Sequence, residues 1–123
     1  MIAIKRAYEP TAAADGYRVL VERLWPRGVS KAAARLDAWE QDVAPSADLR
    51  RWYGHDPAKW PEFQARYERE LTEPAARAAL DRLTARARAG PVTLVYGSRA
   101  GEISNAAVLQ RLVEDRLARD GAA

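Results

Sequence analysis

Two short aliphatic runs, Val19–Val21 and Val92–Tyr96, lie near opposite ends of the chain. Runs of this kind, without polar alternation, are typical of strands buried on both faces of a parallel sheet. Parallel neighbours need a crossover connection, and here the long stretch between the two runs carries helical spacing of apolar residues. We therefore predict an α/β fold, with a small, mainly parallel sheet flanked by helices in three layers.

Turn and capping signals divide the rest of the chain. Ile2–Arg6 alternates apolar and basic residues and is predicted to form a further strand. The expected helices share a capping residue at the start and apolar residues repeated every three or four positions. They are expected at 30–35, 46–53, 56–71, 72–90 and from 104 or 105 to 117, before a frayed end. The segment 36–43 fits either a helix or an edge strand, and both alternatives stay open.

Length and composition exclude several classes of protein. The 123 residues suit a single domain, 1–123. With no Cys and one His, the chain has no disulfides, no thiolate nucleophile and too few ligands for an ordinary zinc site. Neither a metal nor a cofactor is expected, although a haem iron would need only one axial ligand such as His55. No apolar run is long enough to span a bilayer, and no signal-peptide pattern opens the chain. We expect a cytoplasmic protein without membrane contact.

Two loops, 23–28 and 97–101, follow the predicted buried strands. In parallel sheets the carboxyl ends of the strands share one edge, and ligands bind there. We therefore expect Arg23, Arg27 and Arg99 to converge near the start of the last helix, whose N-terminal end carries partial positive charge. Such a site suits a small ligand bearing a phosphate or a carboxylate.

Four further residues complete the predicted site. Ser98 and Asn105 offer hydrogen bonds to the ligand, and Trp25 offers an apolar wall. His55 is the candidate general acid or base at neutral pH. Hydrolase or transferase chemistry on the bound anion is one interpretation, and binding without turnover is equally compatible. Each residue also has a structural alternative, namely ion pairing for the arginines, helix capping for Asn105 and turn closure for His55.

Nucleic-acid binding is the competing hypothesis, since the chain has 20 Lys and Arg against 17 Asp and Glu. In the stretches 77–88 and 111–120, however, basic and acidic residues interleave, which is typical of a solvated helix face. A nucleic-acid-associated or regulatory protein, or a protein-interaction module, is therefore the alternative rather than the favoured function. The oligomeric state is left open.

Specific motifs also follow one another in order along residues 17–113. They are RVLVERLWPRG at 18–28, Trp39, APS at 44–46, LR at 49–50, WYGHDP at 52–57, Trp60, Phe63, Tyr67, VTLVY at 92–96 and NA at 105–106. In these motifs the chain resembles the YeaO-like bacterial family, a domain of unknown function. The resemblance implies a small cytosolic α/β domain without an assigned activity and directs attention to Arg23, Trp25, Arg27, His55 and Asn105. Distant relatives carry a Cys-His-Arg cluster near the last strand, and this chain has no Cys for such chemistry.

Overall fold

The computed structural model describes residues 1–122, which form a four-stranded parallel sheet and five α-helices. The strands are β1 (Ile2–Arg6), β2 (Tyr17–Leu20), β3 (Ala38–Trp39) and β4 (Val92–Tyr96). The helices are α1 (Lys31–Ala34), α2 (Ala47–Tyr53), α3 (Trp60–Glu70), α4 (Pro74–Ala89) and α5 (Asn105–Ala122). Short 3₁₀ turns lie at Ala13–Asp15, Gln41–Val43, Pro57–Lys59 and Gly101–Ile103. The predicted α/β class is confirmed.

The order of the strands is β1-β4-β2-β3, so β4 lies inside the sheet between β1 and β2. Val92 pairs with Ile2 on one side and with Tyr17 on the other. All five residues of β4 are buried, which explains its largely apolar sequence, and the buried Thr93 hydroxyl donates to the Asp15 carbonyl at 2.8 Å. Beyond the end of β2, the Val21 amide still donates to the Val95 carbonyl at 3.1 Å.

The two faces of the sheet are covered unequally. On one face, Val19 and Leu94 pack into the main core with apolar side chains of α2 to α5, such as Phe63. On the other face, Leu20 and Val95 are covered by a thin layer that includes Trp25. The segment 25–36, through Trp25, Val29 and Leu36, therefore covers the second face.

The segment 36–43 contains both an edge strand and a helical turn. Ala38–Trp39 pairs with Val19–Leu20 as β3, and the 3₁₀ turn Gln41–Val43 follows at once. A carboxylate fixes the entry to β3, because Asp37 Oδ2 accepts from the Arg18 amide at 2.8 Å. Both alternatives left open by the sequence are therefore realised in succession.

The start of α5 is tied to the carboxyl edge of the sheet. The Ser104 hydroxyl accepts from the Ala107 amide at 3.2 Å and so caps the helix. The Asn105 side chain donates through Nδ2 to the Val21 carbonyl at 2.8 Å. The helix continues to Ala122, and the last residue of the predicted frayed end lies outside the described part of the chain. No helix within 1–122 has the length and low polarity that crossing a bilayer requires.

Candidate functional site

A cavity of about 390 Å³ opens at the carboxyl ends of β2 and β4, beside the start of α5. This is the edge at which parallel α/β sheets bind ligands. Its lining combines charged, polar and aromatic side chains. They are Glu22, Arg50, Arg51, Tyr53, His55, Phe63, Ser98 and Asn105, together with Pro45 and Gly97.

Glu22 is the acidic side chain of this cavity and follows β2 by two residues. It is partly buried, and its Oε1 accepts a long hydrogen bond of 3.3 Å from the Gly97 amide. Burial raises the pKa of the Glu22 carboxyl above its ordinary value, and the Gly97 amide and the positive charge of Arg50 partly oppose that rise. The protein thus replaces only part of the hydration that the Glu22 carboxylate loses on burial.

Arg50 and Arg51 reach the cavity from α2. The exposed Arg51 forms an ion pair with Asp48. Arg50 is partly buried and makes no ion pair within 4.0 Å among residues 1–122. Its guanidinium group is therefore available to an anion in the cavity.

The loop after β4 contributes a hydroxyl group without a partner. The Oγ of Ser98 is buried, and it has no hydrogen-bond partner among the residues described. The backbone of this loop is held from β1, because Arg6 Nε donates to the Ser98 carbonyl at 2.8 Å. A buried polar atom left open on a fixed loop is a group that a bound ligand can satisfy.

His55 lies where α2 ends, in the left-handed backbone region with φ 56°. Its exposed ring lies 5.7 Å from the Tyr53 ring and lines the cavity. The neighbouring Asp56 accepts from the Ala58 amide at 3.0 Å and so caps the next turn. A non-glycine residue held at this φ stores backbone strain beside the site.

The structure does not bring Arg23, Arg27 and Arg99 into one cavity, which corrects the expected convergence. Arg23 lines a separate cavity with Glu70, and its Nη2 donates to the Ala44 carbonyl at 3.4 Å. Arg27 is exposed and lines neither cavity. Arg99 is exposed in a more open neighbouring depression that shares Gly97, Ser98 and His55 with the cavity. For Arg27 the reason is that the segment 25–36, in which it lies, packs over the second face of the sheet through Trp25, Val29 and Leu36.

Trp25 packs over the second face of the sheet and does not line the cavity. Its indole Nε1 donates to the Val29 carbonyl at 2.6 Å, and its ring packs edge-on against Trp39 at 5.5 Å. The apolar wall comes instead from Tyr53 and Phe63, whose buried rings stack at 4.1 Å. The predicted residues that the cavity does contain are His55, Ser98 and Asn105.

Sequence reasoning missed Glu22 and Arg50. Glu22 carries a usable signal, because it is the first polar residue after a strand that ends in apolar side chains. Arg50 carries none, since its position depends on how α2 docks beside the sheet. Within residues 1–122, no three His, Cys, Asp or Glu side chains are grouped as a metal site requires.

Comparisons with known proteins identify the family of the chain. A family model described as "Inactive DUF488-N3 subclade" matches residues 1–123. The chain is 44% identical over 115 residues to the uncharacterised protein Rv3073c of Mycobacterium tuberculosis (strain H37Rv), covering 94% of this chain and 95% of the relative. It is 36% identical over 108 residues to the uncharacterised protein YeaO of Escherichia coli (strain K12), covering 88% and 92%. No solved structure matches. The YeaO-like resemblance is confirmed, and the chain belongs to the inactive DUF488-N3 subclade, a family of unknown function.

Proposed function

We propose that the protein binds a small organic anion, bearing a phosphate or a carboxylate, in the cavity at the carboxyl edge of its sheet. The observation that carries this proposal is a partly buried Arg50 without an ion-pair partner in residues 1–122. The buried hydroxyl of Ser98, also without a partner, lines the same cavity. Together they offer a charge and a hydrogen bond to one ligand.

The surroundings strengthen the attraction for an anion. Arg51 adds a second guanidinium group to the lining, although its charge is shared with Asp48. The N-terminal end of α5, at Asn105, adds the partial positive charge of a helix. The volume of about 390 Å³ is in the range that suits small molecules. The stacked rings of Tyr53 and Phe63 would contact the organic part of the ligand.

Binding without turnover is the form of the proposal that the site favours. A serine nucleophile needs a base within hydrogen-bond reach, and the Ser98 hydroxyl has no such partner in the described chain. The exposed ring of His55 is not grouped with a carboxylate in an ion pair among residues 1–122. The description of the matching family as an inactive subclade supports the same conclusion.

Nucleic-acid binding is not favoured by the arrangement of the surface arginines. Arg82 pairs with Glu40 at 2.8 Å, and Arg111 pairs with Glu68 at 3.0 Å. Arg116 pairs with Asp81 at 2.7 Å, and Arg88 pairs with Asp120. Side chains paired in this way form a solvated face and present little unpaired charge to phosphates.

The test is anion binding by the wild-type protein and by Arg50→Gln. We expect inorganic phosphate and phenyl phosphate to raise the melting temperature of the wild type. Arg50→Gln should weaken binding by about tenfold or more, because a charged hydrogen bond contributes roughly 1.5 to 3 kcal/mol. The matched control is Arg119→Gln on the exposed last turn of α5, which should bind like the wild type.

Isothermal titration of both variants and the wild type measures these affinities directly. The proposal fails if neither anion stabilises the wild type at tens of millimolar. It also fails if Arg50→Gln and Arg119→Gln lose affinity equally, since that result would indicate a diffuse charge effect. A cytoplasmic location, where phosphorylated and carboxylated metabolites are abundant, is part of the proposal.

A further inference from the structure

The carboxylate of Glu22 is unexpected in a cavity that attracts anions. Of the described residues that line the cavity, Glu22 is the one with an acidic side chain. A fully deprotonated anion placed against it would meet like charge in a partly dry environment. A simple anion-binding site therefore gains nothing from a carboxylate at this position.

The carboxylate also keeps unused acceptor capacity. An ionised carboxylate can accept about four hydrogen bonds. Glu22 accepts one within the described chain, from the Gly97 amide to Oε1 at 3.3 Å. The other oxygen, Oε2, receives no hydrogen bond from residues 1–122. A donor on the ligand would satisfy it.

Glu22 and Arg50 do not neutralise each other by direct contact. No ion pair within 4.0 Å joins them, yet the charge of Arg50 is close enough to lower the pKa of the Glu22 carboxyl. Two opposite charges that line one cavity without forming an ion pair leave space for a ligand between them. The lining thus presents a cationic group and an acceptor to the same molecule.

Resting on the function proposed above, we infer that the ligand carries a hydrogen-bond donor besides its anionic group, and that the Glu22 carboxylate accepts from it. The ligand class is accordingly a hydroxy or amino compound bearing a phosphate or a carboxylate. The simplest ion that meets both requirements is hydrogen phosphate, which retains a proton near neutral pH. Sulfate has nearly the same shape and carries no proton there, so it is the matched negative probe.

The experiment compares inorganic phosphate with sodium sulfate at pH 7 and constant ionic strength, by isothermal titration. We expect the wild type to bind phosphate about tenfold more tightly than sulfate, the effect of one charged hydrogen bond. Glu22→Gln should reduce this ratio to about threefold or less, because the amide donates to sulfate as readily as it accepts from phosphate. The matched control, Glu114→Gln on the exposed surface of α5, should keep the wild-type ratio.

The outcomes separate this inference from the proposed function. Equal binding of both anions by the wild type, with no change in Glu22→Gln, overturns the role of Glu22 and leaves anion binding intact. Absence of binding by either anion overturns both. Glu22→Ala, which deletes the carboxylate, is a second variant if the amide form does not fold. If the wild type binds phosphate and sulfate with nearly equal affinity, that result alone overturns the inference.

Discussion

Two carboxylates flank strand β2, and the structure treats them in opposite ways. Asp15 is buried and accepts from Lys5 Nζ at 2.8 Å, from Arg18 Nη1 at 2.7 Å and from the Ala12 amide at 3.0 Å. Glu22 accepts only the long bond from Gly97 among residues 1–122. One carboxylate has its acceptor capacity largely filled by the protein, and the other retains capacity for a ligand.

The difference appears in the direction of the two pKa shifts. The hydrogen bond from Lys5 is the main cause that lowers the pKa of Asp15 below its ordinary value of 3.8, against the opposing effect of burial. Burial is the main cause that raises the pKa of Glu22 above its ordinary value of 4.5. A group that is destabilised when charged and retained at a ligand-binding edge is typical of a functional position. The comparison indicates that Asp15 supports the fold, whereas Glu22 keeps the acceptor capacity that the binding proposed above would use.

The largest expected effect is the loss of stability in Asp15→Asn. The substitution leaves the Arg18 guanidinium, 4% exposed, without its carboxylate partner in the protein interior. We expect a loss of about 3 kcal/mol in the free energy of unfolding, as for other broken buried ion pairs. Urea denaturation followed by circular dichroism measures it.

The matched control for that substitution is Asp48→Asn. Asp48 pairs with Arg51 on the surface, where its side chain is 90% exposed, and we expect little change in stability. If Asp15→Asn were no more destabilising than this control, the assignment of Asp15 to folding would be wrong.

A second prediction concerns strain beside the cavity. His55 and Arg35 are the two non-glycine residues with positive φ in 1–122, at 56° and 47°. Substitution of either by Gly should relieve strain of about 1 kcal/mol, less the entropy that Gly adds to the unfolded chain. Only His55→Gly should also weaken phosphate binding, since His55 lines the cavity and Arg35 does not. Thermal melts with and without phosphate measure both effects, and an equal loss of binding in Arg35→Gly would contradict the prediction.

The fold could be predicted from local patterns because its central strands differ so clearly from the rest of the chain. Val92–Tyr96 is largely apolar because β4 lies between two paired strands and all its side chains are buried. Segment 36–43 could not be resolved, because a two-residue strand followed by a 3₁₀ turn carries too few residues to show a period.

The site was predicted in part, and the reason is again physical. Ser98 follows β4 by two residues, and Asn105 begins the helix that starts at the same edge of the sheet, so the position of that edge fixes both. Trp25 and Arg27 lie in the loop after β2, but the second face of the sheet has no long helix, and this segment packs over it instead. Which face lacks a helix depends on the whole topology. Arg50 likewise depends on the docking of α2, which no local pattern reports.

The smallest expected effect is the pH dependence of stability in Glu22→Gln, compared with Asp15→Asn. Since the folded pKa of Asp15 lies below 3.8, its contribution is present above that pH and is lost as pH falls through the folded value. Since the folded pKa of Glu22 lies above 4.5, the folded state holds the extra proton, and wild-type stability falls as pH rises through that interval. At pH 7, Glu22→Gln should therefore be more stable than the wild type by about 0.5 to 1 kcal/mol.

Relative to the wild type, the free energy of unfolding should thus be higher in Glu22→Gln and lower in Asp15→Asn at pH 7. Both differences should become smaller as the pH falls. The extra stability of Glu22→Gln should disappear first, as the pH falls towards 4.5. The lower stability of Asp15→Asn should begin to approach that of the wild type only below pH 3.8. Denaturation curves in urea at intervals from pH 3 to pH 8 measure both. A Glu22→Gln variant less stable than the wild type at pH 7 would show that this carboxylate supports the fold, and the contrast with Asp15 would then disappear.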